Sequence, residues 1–249
     1  MCTLFIYRTK NTDWPILLAT NRDEFLSRKF YSPNYHWRRF PSIFAGKDQL
    51  KGGSWLGINK YGVCTAILNR PSVDIDNKNL TSRGNIIIDV LKNKTSMQAK
   101  NIIIKKFKKN TKYFNLFISD YENAFWIKYY ANQLSVFNIP YGYSIIDNFD
   151  LNDSNSDKQI FYKTIFEKTQ LPDPDKRNFD SWKKLLFYNN YNKKSNIPEV
   201  FITNYNKNYG TVCSSIIGLP NKKINNKKII WLYSERKKNF LNLLPFKNK

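Results

Sequence analysis

The chain has 249 residues, enough for a sizeable core, and 41% of them are hydrophobic with 18 Phe, 16 Tyr and 6 Trp, which excludes a disordered polymer. A formal net charge of +22 raises nucleic acid or an anionic membrane as partners, but the lysines are scattered among Asn, Ile, Tyr and Phe, residues with AT-rich codons, and no recognised nucleic-acid module accompanies them. No apolar run reaches the roughly 18 residues of a membrane span, Met1 to Arg8 carries no secretory pattern, and three cysteines without a Cys-x-x-Cys exclude a disulfide framework and a structural zinc site, so a cytoplasmic setting is expected.

Residues 2–7 read as a strand, Lys10 to Asp13 as a polar turn, and Trp14 to Thr20 as a second strand. With the turn centred on Asn11 and Thr12, paired positions sum to 23, so Cys2 falls opposite Asn21 and the strand ends in Asn21-Arg22-Asp23-Glu24. In extended chain Asn21 and Asp23 face one side, Arg22 and Glu24 the other. Phe25 to Phe44 is irregular. The glycines at 46, 52, 53 and 57 predict tight turns or close backbone approach. Ile58-Asn59, a turn at Lys60-Tyr61-Gly62, and Val63 to Leu68 predict a hairpin. Arg83 to Lys108 has helical spacing and predicts two helices broken near Thr95-Ser96. Tyr113 to Ser119, Ala124 to Tyr130, Leu134 to Ile139 and Tyr141 to Ile146 predict a meander.

Asp157 to Thr169 and Phe179 to Tyr188 predict helices, separated by Leu171-Pro172-Asp173-Pro174. Tyr188 to Asn196 reads as a loop. Val200 to Thr203, Thr211 to Gly218 and Lys228 to Tyr233 predict closing strands, and the basic tail predicts fraying. The succession strands, helices, strands, helices, strands suits an α+β layered fold. With no internal repeat and no linker, one domain over residues 1–249 is expected.

The chemistry-bearing residues gather at the first hairpin. A small residue after Met1 permits removal of the initiator, leaving Cys2 with a thiol and a free α-amine. The thiol titrates at about 8.5 and the amine at about 7.7–8.0, so the amine can take the thiol proton directly or through a water. Arg22 nearby favours the thiolate, and Asp23 can hold the ammonium. Met-Cys alone is more commonly a small buried residue opening an edge strand, and the charged motif alone a strand-end salt bridge.

Seven signatures occur in order along nearly the whole chain: Met1-Cys2-Thr3, Asn21-Arg22-Asp23-Glu24, Ala45-Gly46-x-Asp48, Gly52-Gly53-x-Trp55-Leu56-Gly57, Gly62 followed by Asn69, Ser82-Arg83-Gly84, and Tyr209-Gly210-Thr211. This ordered set resembles the NRDE family of Transport and Golgi organisation protein 2-like proteins. That family is similar, more distantly, to choloylglycine and penicillin V acylases. The resemblance implies a four-layer αββα sandwich of antiparallel sheets of the N-terminal-nucleophile-hydrolase type. It also implies a hydrolase acting on a small non-peptide amide or acyl compound. Cys2 would be the nucleophile with Arg22 beside it, and Asp23 and Asn21 would complete the catalytic group. Asn69 and Asn148 are the candidate oxyanion or substrate contacts.

Two positions depart from that pattern. The acylases carry Asp three residues beyond the Arg, where this chain has Phe25, and NRDE proteins commonly carry Arg after Tyr-Gly-Thr, where it has Val212. Both weigh against amide hydrolysis more than against the fold. A non-catalytic carrier on the same fold therefore stands beside the hydrolase. Its ligand would be lipid-like, or haem, because some eukaryotic relatives are implicated in haem trafficking; His36 or Cys2 would be axial. No other cofactor is expected, and no metal. A third expectation, a scaffold for anionic polymers or membranes, rests on Lys105-Lys106, Lys108-Lys109 and Arg236-Lys237-Lys238, for which a solvated face is the simpler account.

Overall fold

The computed structural model describes residues 2–71, 81–188, 199–202, 208–223, 227–235 and 242–243. In chain order the elements are β1 (Thr3–Arg8), β2 (Ile16–Phe25), β3 (Phe30–Asn34), β4 (Ile43–Asp48), β5 (Leu56–Asn59), β6 (Cys64–Asn69), α1 (Gly84–Leu91) and α2 (Ser96–Lys106). They continue with β7 (Phe114–Ser119), β8 (Ala124–Tyr130), β9 (Gln133–Asn138), β10 (Gly142–Ile146), α3 (Asp157–Lys168), α4 (Asp180–Leu186), β11 (Tyr209–Leu219), β12 (Ile230–Glu235) and β13 (Asn242–Leu243). The chain folds as two compact units, Met1–Ser27 with Pro140–Phe246, and Arg28–Ile139 with Lys247–Lys249.

The first unit holds a six-stranded antiparallel sheet in the order β10-β1-β2-β11-β12-β13. One face carries Phe5, Leu17, Ala19, Ile145 and Ile216, which pack against Tyr162 and Phe166 of α3 and Trp182 and Leu186 of α4. Alternation along the strands supplies the sheet side of this core and helical spacing the other. Ser156 caps α3 by accepting the Gln159 N–H at 3.2 Å.

The second unit holds a seven-stranded antiparallel sheet in sequence order, β3 to β9. Ile87, Val90 and Leu91 of α1 and Ala99 and Ile103 of α2 pack against Ile43, Leu116, Ile118 and Ile127. The break between these helices falls as expected, with Thr95 capping α2 through the Gln98 N–H at 3.2 Å.

Much of the signature set is packing hardware of this second unit. A Cβ on Gly53 would lie 2.5 Å from the Gly84 carbonyl carbon, one on Gly46 2.3 Å from the Trp55 ring, and one on Gly57 2.6 Å from both Ala45 and Leu91. Gly52 supplies a turn at φ +71°. Asp48 gathers that turn: its carboxylate accepts from Arg28 Nε at 2.7 Å and from the Lys51 N–H at 2.8 Å. Asn59 donates to the Leu91 and Asn93 carbonyls at 2.9 and 2.6 Å and accepts from the Tyr61 and Val63 N–H groups at 3.0 Å each. The Asn-x-x-Gly turn is thereby fastened to the end of α1.

Several expectations need correction. The second strand does not stop before Asn21; β2 runs through the motif to Phe25 because β11 pairs with it, Asp23 opposite Thr211 and Phe25 opposite Tyr209. The stretch from Phe25 to Phe44 contains β3 and the start of β4. The meander has three strands rather than four, since β10 leaves it to pair with β1. Val200 to Ile202 is not a strand, although the Thr211 N–H donates to the Ile202 carbonyl at 3.0 Å. Thr203, the loop from Asn189 to Asn196, and the tail from Arg236 to Lys238 lie outside the described residues.

Candidate active site

The site belongs to the first unit, at the sheet end where β1 begins and β2 finishes. The observed register pairs Thr3 with Asn21 and Arg8 with Ile16, so positions sum to 24 rather than 23. Cys2 is therefore level with Arg22, not Asn21. The physical reason is the turn: the Thr9 N–H donates to the Pro15 carbonyl at 2.9 Å around an odd-numbered loop, with Asn11 at φ 54°. The thiol nevertheless reaches the motif. The Asp23 N–H lies 3.3 Å from Cys2 Sγ, and Sγ lies 3.6 Å from the Asp23 carbonyl oxygen.

Asp23 is 5% exposed and its Oδ1 accepts the Thr211 hydroxyl at 2.6 Å. That hydroxyl accepts the Ile202 N–H at 2.9 Å, and the Tyr209 hydroxyl donates to the Asp23 carbonyl at 3.3 Å. Arg22 is buried on the opposite side of β2, with Nη2 3.8 Å from Glu24 Oε2. The alternation expected along the motif is thus present. Asn21 is fully buried; its amide donates to the Leu186 and Val200 carbonyls at 2.7 and 3.0 Å, and its oxygen accepts the Ser214 hydroxyl at 2.6 Å.

Asn148 arrives from the other flank. It is buried two residues past Ile146, which pairs with Leu4, itself two residues past Cys2. Beside it, Asp147 Oδ1 accepts from Gln159 Nε2 at 2.7 Å, tying this turn to α3. Asn69 belongs to the second unit, where it ends β6 opposite Phe114 and is exposed.

Sequence reasoning missed Lys158. It sits in the first turn of α3, buried, and the charges that reach its ammonium are those of Asp23, Asp147 and Cys2. Burial holds its pKa below the ordinary lysine range, against the pull of those groups. Asp157-Lys158-Gln159 reads in sequence as an ordinary solvated helix start, so only the packing of α3 on β10 reveals it.

Burial pushes the Cys2 thiol above its usual range and the Asp23 carboxylate adds to the rise, while the Asp23 N–H and Arg22 pull it back. Val212 is the extra residue of a β-bulge: Thr211 pairs with Asp23 and Cys213 with Arg22, leaving Val212 unopposed and buried. Phe25 is 56% exposed and stands edge-on to Tyr209, with ring centroids 5.5 Å apart. Among the described residues no group of three or more His, Cys, Asp or Glu is placed to hold a metal ion.

The fold is shared with several acylases. Conjugated bile acid hydrolase of Clostridium perfringens, solved as a variant, superposes with a TM-score of 0.58 at 14% identity, covering 98% of this chain and 92% of that one. An N-acylethanolamine-hydrolysing acid amidase orthologue of Caenorhabditis elegans gives 0.57 at 13% identity, with 87% and 92% covered. Penicillin V acylase of Agrobacterium tumefaciens gives 0.55 at 13%, with 97% and 84% covered. The architecture is that of the N-terminal-nucleophile-hydrolase-type acylases. Residues 1–229 match the profile of Transport and Golgi organisation 2, and the chain belongs to that family. An uncharacterised protein of Saccharomyces cerevisiae is 37% identical over an alignment of 90 residues that covers 33% of this chain and 28% of the yeast protein. No helix among the described residues is long and apolar enough to cross a membrane.

Proposed function

We propose that the chain is a cysteine hydrolase of small amides or related acyl compounds, with Cys2 as nucleophile once Met1 is removed. What supports this is the seating of the thiol against the Asp23 backbone, 3.3 Å from its N–H, with the charge of Arg22 acting on the sulfur and that of Lys158 interacting with it. The α-amine of Cys2 takes the thiol proton as Sγ attacks the carbonyl carbon. The leaving amine departs with that proton, and water then hydrolyses the thioester and regenerates the thiol. Arg22 and Lys158 supply positive charge for the thiolate or for a substrate anion, and Asn148 is the candidate oxyanion donor.

One consideration favours a second reading, a non-catalytic carrier of a lipid-like ligand: desolvation pushes the thiol up, which disfavours the reactive thiolate. Haem as that ligand would find His36 available through Nδ1 rather than Nε2, because Nε2 lies 2.8 Å from the Ser32 carbonyl, which can only accept a hydrogen bond, or would use Cys2.

The test is intact mass, followed by iodoacetamide labelling with the modified site mapped. Loss of Met1 and labelling of Cys2 ahead of Cys64 and Cys213 are expected. Cys64 and Cys213 are buried, and burial pushes the Cys213 thiol up to about 12. Retention of Met1 leaves Cys2 without its amine and puts the carrier first. Lys158→Met should slow Cys2 labelling several-fold at neutral pH by removing a cation that favours the thiolate, and Lys158→Arg should restore most of it. Equal rates in all three proteins would show that the Lys158 charge does not act on the thiol.

A further inference from the structure

Between Asp89 and Asp120 the sequence contains eight lysines and no acidic residue. The macrodipole of α2 accounts for Lys105 and Lys106 in its last turn. It does not account for Lys108, Lys109 and Lys112, which lie beyond the helix. The second unit places part of this charge around a cavity of about 650 Å³, within the range of ligand sites. Ile86, Ile102 and Phe107 line it, together with Lys105, Lys106 and Lys108.

The wall is firm. Phe107 leaves α2 in extended conformation and stands edge-on to Tyr129 and Phe114, with centroids 4.6 and 5.7 Å apart. Asp89, the acidic residue of the lining, is bound to Lys92 at 2.7 Å and so adds little net negative charge. The three lining lysines are exposed, whereas Ile86, Ile102 and Phe107 are half-buried and Ile103, also in the lining, is buried. Charge and hydrocarbon are thus segregated, the head group side to solvent and the chain side inward.

We propose that this cavity binds an anionic amphiphile, its hydrocarbon chain against Ile86, Ile102 and Phe107 and its carboxylate or phosphate among Lys105, Lys106 and Lys108. The site concerns the second unit alone and stands whether or not Cys2 is a nucleophile. A bilayer lipid and a dissolved amphiphile offer this same head-group and chain chemistry, and the experiment separates the two sources.

The experiment is calorimetric titration of the full chain with dodecyl phosphate below its micelle threshold, with dodecyltrimethylammonium as the cationic control. Saturable binding of the phosphate alone is expected. It should weaken by about tenfold or more in Lys105→Gln/Lys106→Gln/Lys108→Gln and in Ile102→Trp, which fills the cavity without changing charge. Circular dichroism checks that each variant folds; should Ile102→Trp fail, loss of affinity from dodecyl to octyl phosphate tests the same apolar wall. Co-sedimentation with phosphatidylglycerol vesicles that dodecyl phosphate competes away would identify a bilayer lipid as the source. Binding of dodecyl phosphate without co-sedimentation would identify a dissolved one, and both outcomes uphold the site. No saturable binding, equal binding of the cation, or binding indifferent to chain length and to Ile102→Trp would overturn it.

Discussion

Gly53→Ala should lower the stability of this protein by about 3 kcal/mol, or an unfolding midpoint about 6–12 °C lower. The new Cβ would stand 2.5 Å from the Gly84 carbonyl carbon and 2.7 Å from its Cα, atoms of the backbone that cannot rotate away. Separating the two strands of chain would stretch the Ser54 N–H bond to the Gly84 carbonyl, now 3.1 Å, and the Asp48 N–H bond to the Gly53 carbonyl, now 2.9 Å. It would also move the first residue of α1, whose Ile87, Val90 and Leu91 form part of the core. Gly52→Ala is the control. Its Cβ would meet nothing within 4 Å, and only the backbone strain at φ +71° opposes it, about 1 kcal/mol. Thermal melts of the two variants decide the matter. Equal or inverted losses would mean that Gly53 is not in close contact with Gly84.

That contrast marks what the sequence could and could not convey. Glycine density announced close approach or turns, but the partner that distinguishes Gly53 from Gly52 lies more than thirty residues away, beyond the reach of local patterning. The helices from Gly84 to Leu91 and from Ser96 to Lys106 were legible because an apolar stripe and a Thr95 cap are local signals. The extension of β2 through Arg22 and Asp23 was not, because four polar residues look like a strand end until β11 supplies partners such as Thr211 and Ser214. The hairpin register was missed by one residue, since a turn's length cannot be read from polar composition alone. The departure of β10 to pair with β1 was equally hidden: alternation gives strands, not neighbours. Cys2 and Asp23 were legible as a pair through their place at the two ends of one hairpin. Lys158 was not, because burial of a lysine is a tertiary fact.

Asn21→Ala should cost about 3–4 kcal/mol, and the reason bears on how the motif is understood. Each hydrogen-bonding edge of this side chain serves the surrounding framework: the amide holds the Leu186 carbonyl at the end of α4 and the Val200 carbonyl, and the oxygen holds the Ser214 hydroxyl of β11. Alanine would leave two carbonyls and a hydroxyl without this partner in an interior where such groups cost about 1–3 kcal/mol apiece. Asn21→Asp keeps the Ser214 contact but sets a carboxylate against the two carbonyls, so its loss should exceed that of alanine. Chemical denaturation measures both. Labelling of Cys2 under strongly native conditions then separates scaffold from chemistry, because the thiol contacts Asp23 and not Asn21. If Asn21→Ala unfolds readily yet labels Cys2 at the parent rate while folded, Asn21 is the strut that fixes where β2 carries Arg22 and Asp23. A variant of undiminished stability that loses the fast labelling would instead place Asn21 among the reacting groups.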